Sequence, residues 1–324
     1  ASERGSIPFA DSLRDLISNE NELDVYTKFF PRGLAPRCVY HQKTGALDPL
    51  PETDEQLSEL GYLFLLEAVD TDVYCQPSPL TVPQIHKSLS LLARFHATTF
   101  GDAPKLTEAA SLLHKNGSYW SLDKRSPEFK DVEDCWTTFR SKFLPLYPFL
   151  EDEADLGARI SAVASQVAAE LSATPSSPGA CVVHGDAKSL NMFLPKDESS
   201  PLPGFLIDFQ WSGLGYPALD VAMHITHSLP AEAFEDGGEM KLVRHYFEEL
   251  KGQGCDVDWK VFERQYHLGV IDFGRAVLTI FWRSASPDEF LRKAGNSNVT
   301  YANRNADAAM AFVGRIKRSL DKIF

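Results

Sequence analysis

The spacing of apolar residues predicts a mixed α+β chain that is mostly helical. Apolar side chains recur on one helical face from residue 12 to about residue 31, which indicates a helix. Short apolar runs at 38–40 and 62–66 predict two strands, and the long acidic linker between them predicts a short helix near 55–60. Beyond residue 81, apolar stripes at helical spacing recur, so the rest of the chain is expected to be mainly helical.

Two further apolar runs, 192–194 and 205–207, carry polar residues at one end each. A segment rich in Pro, Gly, Ser and Asp separates them, which predicts two strands joined by a loop. Asn191 precedes the first strand and Asp208 follows the second. If the strands pair antiparallel, Asn191 and Asp208 arrive at the same edge of the sheet.

The polar residues around this edge suit phosphoryl transfer. Asn191 and Asp208 offer the amide and carboxylate oxygens that Mg²⁺ prefers, and phosphates and water complete its coordination. Asp186 is then left to orient an acceptor hydroxyl and take its proton, and Lys188 offsets charge on the moving phosphoryl group. His184 is expected to brace the loop through a hydrogen bond.

Three stretches resemble the catalytic and metal-binding loops of the protein-kinase-like fold. They are His-Gly-Asp-Ala-Lys at 184–188, Asp-Phe-Gln-Trp at 208–211 and Gly-Tyr-Pro-Ala-Leu-Asp-Val-Ala at 215–222. Their sequences are similar to those of aminoglycoside phosphotransferases and choline kinases, and most similar to those of the ecdysteroid-kinase-like group. The resemblance implies a bilobal fold, with a partial small lobe over 1–70 and a mainly helical catalytic lobe over 71–324.

The resemblance also implies roles for residues outside the loops. Glu22 matches the helix glutamate that pairs with the lysine anchoring ATP. Glu67, Ala68 and Val69 match the hinge whose backbone meets adenine, and Asp220 matches a buried anchor of the catalytic loop. ATP and Mg²⁺ are the cofactors that follow from it.

The chain departs from the family pattern ahead of its first helix. A glycine-rich phosphate loop and a strand lysine are expected there, but Gly5 is the only glycine before Gly33, and the first lysine, Lys28, comes after Glu22. Either the first strands lie upstream of this sequence or they are lost. We favour the first interpretation, because half a lobe would leave strand edges unpaired.

Composition narrows the class of partner. The 324 residues are 44% apolar and 24% charged, as in ordinary globular proteins. The net charge of -13 opposes binding to nucleic acid or to an anionic membrane surface. No apolar run approaches the length of a membrane span, and five scattered cysteines favour a reducing, cytoplasmic location.

The acceptor is a small-molecule alcohol or amino alcohol whose identity stays open. Excess acid would suit a cationic amine, and aromatic richness would suit a sterol-like alcohol. His224 and His227 stand three apart on a predicted helix but lack a third metal ligand nearby. In related small-molecule kinases the late helices help to form the acceptor pocket, which makes candidates of Tyr266, Asp272, Phe273, Arg275, Phe281, Trp282 and Arg283.

Three functions therefore compete. The first is an ATP- and Mg²⁺-dependent phosphotransferase acting on a small molecule. The second is a catalytically inactive kinase-like binding or scaffold protein, which the missing glycine loop and lysine support. A protein kinase comes third, because the sequence after Asp208 enters a helix without an activation segment.

Overall fold

The computed structural model describes residues 9–29, 33–125 and 128–324. These residues form an α+β fold that is mostly helical, with small antiparallel sheets. The helices are α1 (Phe9–Lys28), α2 (Asp54–Ser58), α3 (Val82–Ala97), α4 (Ala103–Leu112), α5 (Leu122–Arg125), α6 (Val132–Phe143), α7 (Leu156–Leu171), α8 (Pro217–Ser228), α9 (Gly238–Gly252), α10 (Trp259–Ala276), α11 (Pro287–Lys293) and α12 (Ala306–Ile323). The strands are β1 (Cys38–Thr44), β2 (Gly61–Leu66), β3 (Tyr74–Cys75), β4 (Cys181–Val183), β5 (Met192–Pro195), β6 (Phe205–Leu206) and β7 (Gly213–Gly215).

The N-terminal elements follow the predicted order. Helix α1 begins at Phe9, three residues before the predicted start, and the predicted end near residue 31 lies outside the described residues. Strands β1 and β2 pair antiparallel, and α1 packs against β2, where the rings of Tyr26 and Phe64 lie 5.6 Å apart. The predicted helix near 55–60 is confirmed as α2, which a capping box from Thr53 starts.

Strands β5 and β6 form the predicted antiparallel pair. Met192 lies opposite Leu206, and Phe193 lies opposite Phe205. Strand β3 adds to the other side of β5, which makes a three-stranded sheet. Because both β5 and β6 bury apolar side chains, their polar ends are carried on a rigid base.

The segment 211–217 contains a short strand, although its glycines are typical of a loop. Residues 213–215 form β7, which pairs antiparallel with β4. A Cβ atom on Gly213 would lie 2.2 Å from the carbonyl oxygen of His114, so the strand requires a glycine for this close approach. The sequence pattern missed β7 because two of its three residues carry no side chain.

The helices form the core beneath these sheets. Every residue of α8 is buried, as is most of α10 from Tyr266 onward. A buried ion pair ties α9 to α12, because Arg315 Nε donates to Glu239 Oε1 at 2.9 Å. Within the described ranges, no helix combines the length and apolar character needed to cross a bilayer.

Backbone and side-chain hydrogen bonds join the N-terminal residues to the segment that carries the predicted site. The N–H of Leu206 donates to the Leu34 carbonyl at 2.7 Å, and Asn21 Nδ2 donates to the Phe209 carbonyl at 3.0 Å. Asn21 Oδ1 also accepts the N–H of His114. The division of the chain at residues 70 and 71 stays a prediction.

Candidate active site

The loop between β4 and β5 contains, at its second position, a site that only glycine can occupy. Gly185 has a φ of 82°, in the left-handed region. A Cβ atom there would lie 2.0 Å from the Trp211 carbonyl oxygen and 2.7 Å from the Ser118 nitrogen. The loop can therefore lie directly against its neighbours before it reaches Asp186.

Asp220, on the first turn of α8, holds this loop from below. Its carboxylate accepts the N–H groups of His184 at 2.6 Å and Gly185 at 3.0 Å. It also accepts Nε2–H of His96 at 2.9 Å, and Nδ1 of His96 accepts the Tyr246 hydroxyl at 2.6 Å. Burial acts to raise the pKa of Asp220, but the hydrogen bond from His96 and the neighbouring donors outweigh it and lower the pKa.

His184 connects the loop to the end of β6. Its Nε2–H donates to the Ile207 carbonyl at 2.9 Å, and its Nδ1 accepts the Asp186 N–H at 3.3 Å. Burial lowers the pKa of His184, so the ring stays neutral and can serve as donor and acceptor at once. These contacts give His184 a bracing position in the loop.

Asp186 is held by two neighbours from its own loop. Lys188 Nζ lies 2.5 Å from Asp186 Oδ2, and Asn191 Nδ2 lies 3.1 Å from the same oxygen. Burial raises the pKa of Asp186, although Lys188 and Asn191 both act to lower it. A carboxylate with a raised pKa is a better proton acceptor.

Asn191 and Asp208 meet at the same end of the sheet. The N–H of Ile207 donates to the Asn191 carbonyl at 3.0 Å, which continues the pairing of β5 and β6 to the polar residues. Burial and then the charge of Asp186 raise the pKa of Asp208, while Lys188, His184 and the Asn191 side chain lower it. Asp208 also has a φ of 66°, in the left-handed region, where non-glycine residues are uncommon and cluster at functional sites.

This arrangement fits a magnesium ion. The buried carboxylate of Asp186 lies close enough to the half-buried carboxylate of Asp208 to raise the pKa of Asp208, and a divalent cation would offset that repulsion. No group of three or more His, Cys, Asp or Glu side chains suited to a metal occurs in the part of the chain that the structure describes. Two protein ligands with phosphate and water are the usual pattern for Mg²⁺.

A cavity of about 400 Å³ opens on the Asp208 side. Its lining brings together Glu22, Glu67, Val69 and Asp208, four of the residues that the resemblance singled out. Ala68 is exposed and is not among the described lining residues. The other lining residues are Tyr26, Pro36, Leu66, Phe193, Ile207 and Gln210.

Glu22 is buried beside Asp208. It forms no ion pair among residues 9–29, 33–125 and 128–324. Burial and then the charge of Asp208 raise its pKa to about 7, although the backbone N–H groups of Phe209 and Asp208 act against this. The lysine partner that the resemblance implies is therefore not supplied by the described residues.

A second cavity, of about 440 Å³, opens on the Asp186 side. Asp186 and Lys188 form part of its wall, and the other lining residues come from distant parts of the chain: Tyr119, Arg125, Leu190, Trp211, His227, Phe281, Lys293, Asn298, Val299, Thr300 and Asn303. Sequence reasoning named Phe281 as a candidate and considered His227 only as a metal ligand. It missed the others, because no local spacing relates them.

The remaining late-helix candidates do not line this second cavity. Tyr266, Phe273, Arg275 and Trp282 are buried in the core, and Asp272 lines a different cavity. Arg283 forms an ion pair with Asp131. The aromatic residues at helical spacing in this part of the chain therefore mainly pack in the core.

The architecture defines the class of protein. The structure is similar to that of a microcompartment-associated aminopropanol kinase, with a TM-score of 0.51 at 13% identity over 99% of this chain and 82% of that chain. This is the protein-kinase-like fold of small-molecule kinases, as predicted. A choline/ethanolamine kinase family protein from Mesorhizobium loti has a TM-score of 0.45 at 12% identity, covering 98% of this chain and 85% of that chain. Choline kinase LicA from Streptococcus pneumoniae has a TM-score of 0.44 at 12% identity, covering 97% of this chain and 82% of that chain.

The chain belongs to the ecdysteroid kinase-like family, whose model matches residues 6–255. The family resemblance predicted from the loop sequences is therefore confirmed. A comparison with curated proteins gives no match.

Proposed function

We propose that this protein is an ATP- and Mg²⁺-dependent phosphotransferase that moves the γ-phosphate of ATP to a hydroxyl group of a small molecule. One observation carries the proposal. Asp186 and Asp208 lie close together, each lines a separate cavity, and the Asn191 side chain interacts with both. Membership of a kinase-like family supports the same reaction class.

Each side of the site has its own task. On the Asp208 side, Glu22, Glu67 and Val69 line the cavity proposed for the nucleotide. Asn191 and Asp208 would hold Mg²⁺, which neutralises phosphate charge when it is bound. On the Asp186 side, the second cavity is proposed for the acceptor, and we call it the acceptor cavity.

Asp186 and Lys188 then serve the transfer itself. The acceptor oxygen forms a bond to the γ-phosphorus while the bond from that phosphorus to the β-γ bridging oxygen breaks. The hydroxyl proton passes to the Asp186 carboxylate, whose raised pKa suits a base. Lys188, which contacts Asp186 in this structure, is positioned to offset charge on the transferring group.

The second candidate is a kinase-like binding protein without turnover. Its support is the position of Glu22, which has no cationic partner in the described ranges. Against it, the loops that resemble the catalytic and metal-binding loops keep all the polar residues expected for turnover, including Asp186, Asn191 and Asp208. We also propose a cytoplasmic location, since ATP is abundant there and all five cysteines are unpaired.

ADP release across a panel of small alcohols and amino alcohols tests the proposal. Asp186→Asn should lower kcat by at least about a hundredfold and leave nucleotide binding intact. Asp152→Asn, at an exposed residue, is the matched control and should not change turnover. Magnesium-independent binding of nucleotide without turnover of any alcohol would favour the binding protein instead.

A further inference from the structure

His227 is a buried polar side chain without a partner. It is 2% exposed, and within the described ranges neither Nδ1 nor Nε2 has a hydrogen-bond partner. Its ring packs against Phe273, with centroids 4.8 Å apart, and lies 6.2 Å from the ring of Phe281. Leaving such a group unsatisfied destabilises the folded protein, so the position calls for a function.

The neighbouring histidine on α8 shows the contrast. His224 Nε2 lies 2.7 Å from Ser88 Oγ, and its Nδ1 lies 2.7 Å from the Ala187 carbonyl oxygen. His224 is therefore fully used in the core, and the two histidines do not form a metal pair. His227 instead lines the acceptor cavity.

The state of the His227 ring fits a neutral hydrogen-bonding role. Burial, followed by the nearby charges of Lys188 and His224, lowers its pKa to about 3. A neutral imidazole has one donor and one acceptor nitrogen. A ligand in the cavity can therefore satisfy it without any change of charge.

The walls of the acceptor cavity are aromatic. Tyr119 lies edge-on to Trp211 at 6.4 Å and edge-on to Phe281 at 6.1 Å. These three rings enclose a space suited to a flat apolar ring. Because Asp186 and Lys188 also line the cavity, a ligand held here can present a hydroxyl group to Asp186.

Cationic side chains outnumber carboxylates among the described residues that line the cavity. Three cationic side chains line it, Arg125, Lys188 and Lys293, and Asp186 is the one carboxylate among the described lining residues. Arg125 Nε donates to the Tyr119 carbonyl, and Lys293 pairs with Glu289 at 2.6 Å. An ammonium group would lie among cationic N–H donors, whereas an anionic group would gain charge-assisted hydrogen bonds.

Within the phosphotransferase function proposed above, we infer that the acceptor is a ring-bearing hydroxy acid and not a cationic amino alcohol. The ring packs among Tyr119, Trp211 and Phe281, and the anionic group faces Lys293 and Arg125. His227 is a specificity-determining residue that hydrogen-bonds the ligand.

Three matched alcohols test the charge preference: meta-(hydroxymethyl)benzoate, meta-(hydroxymethyl)benzamide and meta-(hydroxymethyl)benzylammonium. They share a ring and a hydroxyl group and differ in charge. Binding is measured by calorimetry with the wild-type protein in the absence of ATP, because Asp186→Asn would remove a lining carboxylate and so favour the anion. Turnover is also measured with the wild type. The benzoate should bind at least about tenfold more tightly than the ammonium compound. Equal or tighter binding of the ammonium compound, or no binding of the benzoate, overturns the inference.

Replacing His227 and Lys293 tests their roles separately. His227→Phe should weaken benzoate binding about tenfold and should not lower the midpoint of thermal unfolding, because no internal hydrogen bond is lost. His227→Gln, which restores a donor and an acceptor, should recover part of the binding. Lys293→Gln should reduce the preference for benzoate over benzamide. A His227→Phe variant with unchanged binding would exclude the role given to His227.

The two proposals fail in different ways. If benzoate binds as expected but no alcohol is phosphorylated by the wild type, the phosphotransferase function is wrong and the cavity is a binding site only. If other alcohols are phosphorylated while benzoate neither binds nor reacts, the function stands and the acceptor class is wrong.

Discussion

Asn191 donates its side-chain amide to both ends of Asp186, reaching the carbonyl oxygen at 2.9 Å and the carboxylate Oδ2 at 3.1 Å. The same side chain also acts on the pKa of Asp208. One amide thus connects the proposed base to the proposed metal ligand. Both halves of the site depend on it.

Asn191→Ala should therefore impair both halves together. We expect kcat to fall by at least about a hundredfold, because Asp186 loses a neighbour that fixes its orientation. The Mg²⁺ concentration needed for half-maximal activity should rise, since one ligand is lost. A Mg²⁺ titration of ADP release measures both effects. Gln166→Ala, at an exposed amide on α7, is the control, and an unchanged Mg²⁺ requirement in Asn191→Ala would remove Asn191 from the metal site.

Gly185→Ala should destabilise the protein much more than Gly254→Ala, although the two glycines have similar positive φ angles. Gly254 has a φ of 85° with no atom within 4 Å of an added Cβ, so Gly254→Ala reports the strain alone, about 1 kcal/mol. At Gly185 the added Cβ also meets the Trp211 carbonyl, and we expect a further loss of at least about 2 kcal/mol. Urea denaturation compares the two variants. Equal losses would mean that the loop moves away from Trp211 without cost.

The edge formed by β5 and β6 could be predicted from the sequence because the two strands are neighbours along the chain. Antiparallel pairing of two adjacent apolar runs brings their outer polar residues together, so Asn191 and Asp208 could be matched without tertiary information. Strand β7 gave no comparable signal. It pairs with β4, and its Gly213 also packs closely against His114, a residue about a hundred positions away.

The acceptor cavity could not be predicted from the sequence either, because its residues are far apart along the chain. Tyr119, His227 and Lys293 come from a loop, α8 and α11, and only the packing of helices brings them together. His224 and His227 look equivalent in sequence, yet Ser88 satisfies one and no described residue satisfies the other. Spacing along a helix gives the face of a side chain, but not the partner that it meets.

Glu239 should stabilise the fold above its unfolded pKa. Burial acts to raise its pKa, but Arg315, Tyr266 and Arg318 together lower it to about 2. The stabilisation is therefore present above the ordinary value of 4.5 and is lost as the pH falls through about 2. Glu239→Gln should cost about 3 to 5 kcal/mol at pH 7, because Arg315 is left buried without its counter-charge.

Urea denaturation at pH 7 and at pH 3 measures the difference between Glu239→Gln and the wild type, which should shrink at the lower pH. Arg318→Ala is the contrast, since Arg318 is 60% exposed and reaches the same carboxylate at 3.3 Å. It should cost less than about 1 kcal/mol. Equal costs for the two variants would mean that burial of the Arg315 pair is not the source of the effect.

Glu22 should behave in the opposite way, because its pKa is raised. Burial and Asp208 raise the pKa to about 7 from an ordinary value of 4.5. The folded state therefore holds a proton that the unfolded state releases, and its stabilisation is complete below pH 4.5 and is lost as the pH rises through about 7. Glu22→Gln keeps a neutral side chain at every pH, so the variant should be more stable than the wild type at pH 8, by up to about 3 kcal/mol. The measurement is the difference in unfolding free energy between variant and wild type from pH 5 to pH 8, with Glu59→Gln, at an exposed residue of the same type, as the control. A difference that stays constant over this range would show that a cation lies beside Glu22 in solution and neutralises it.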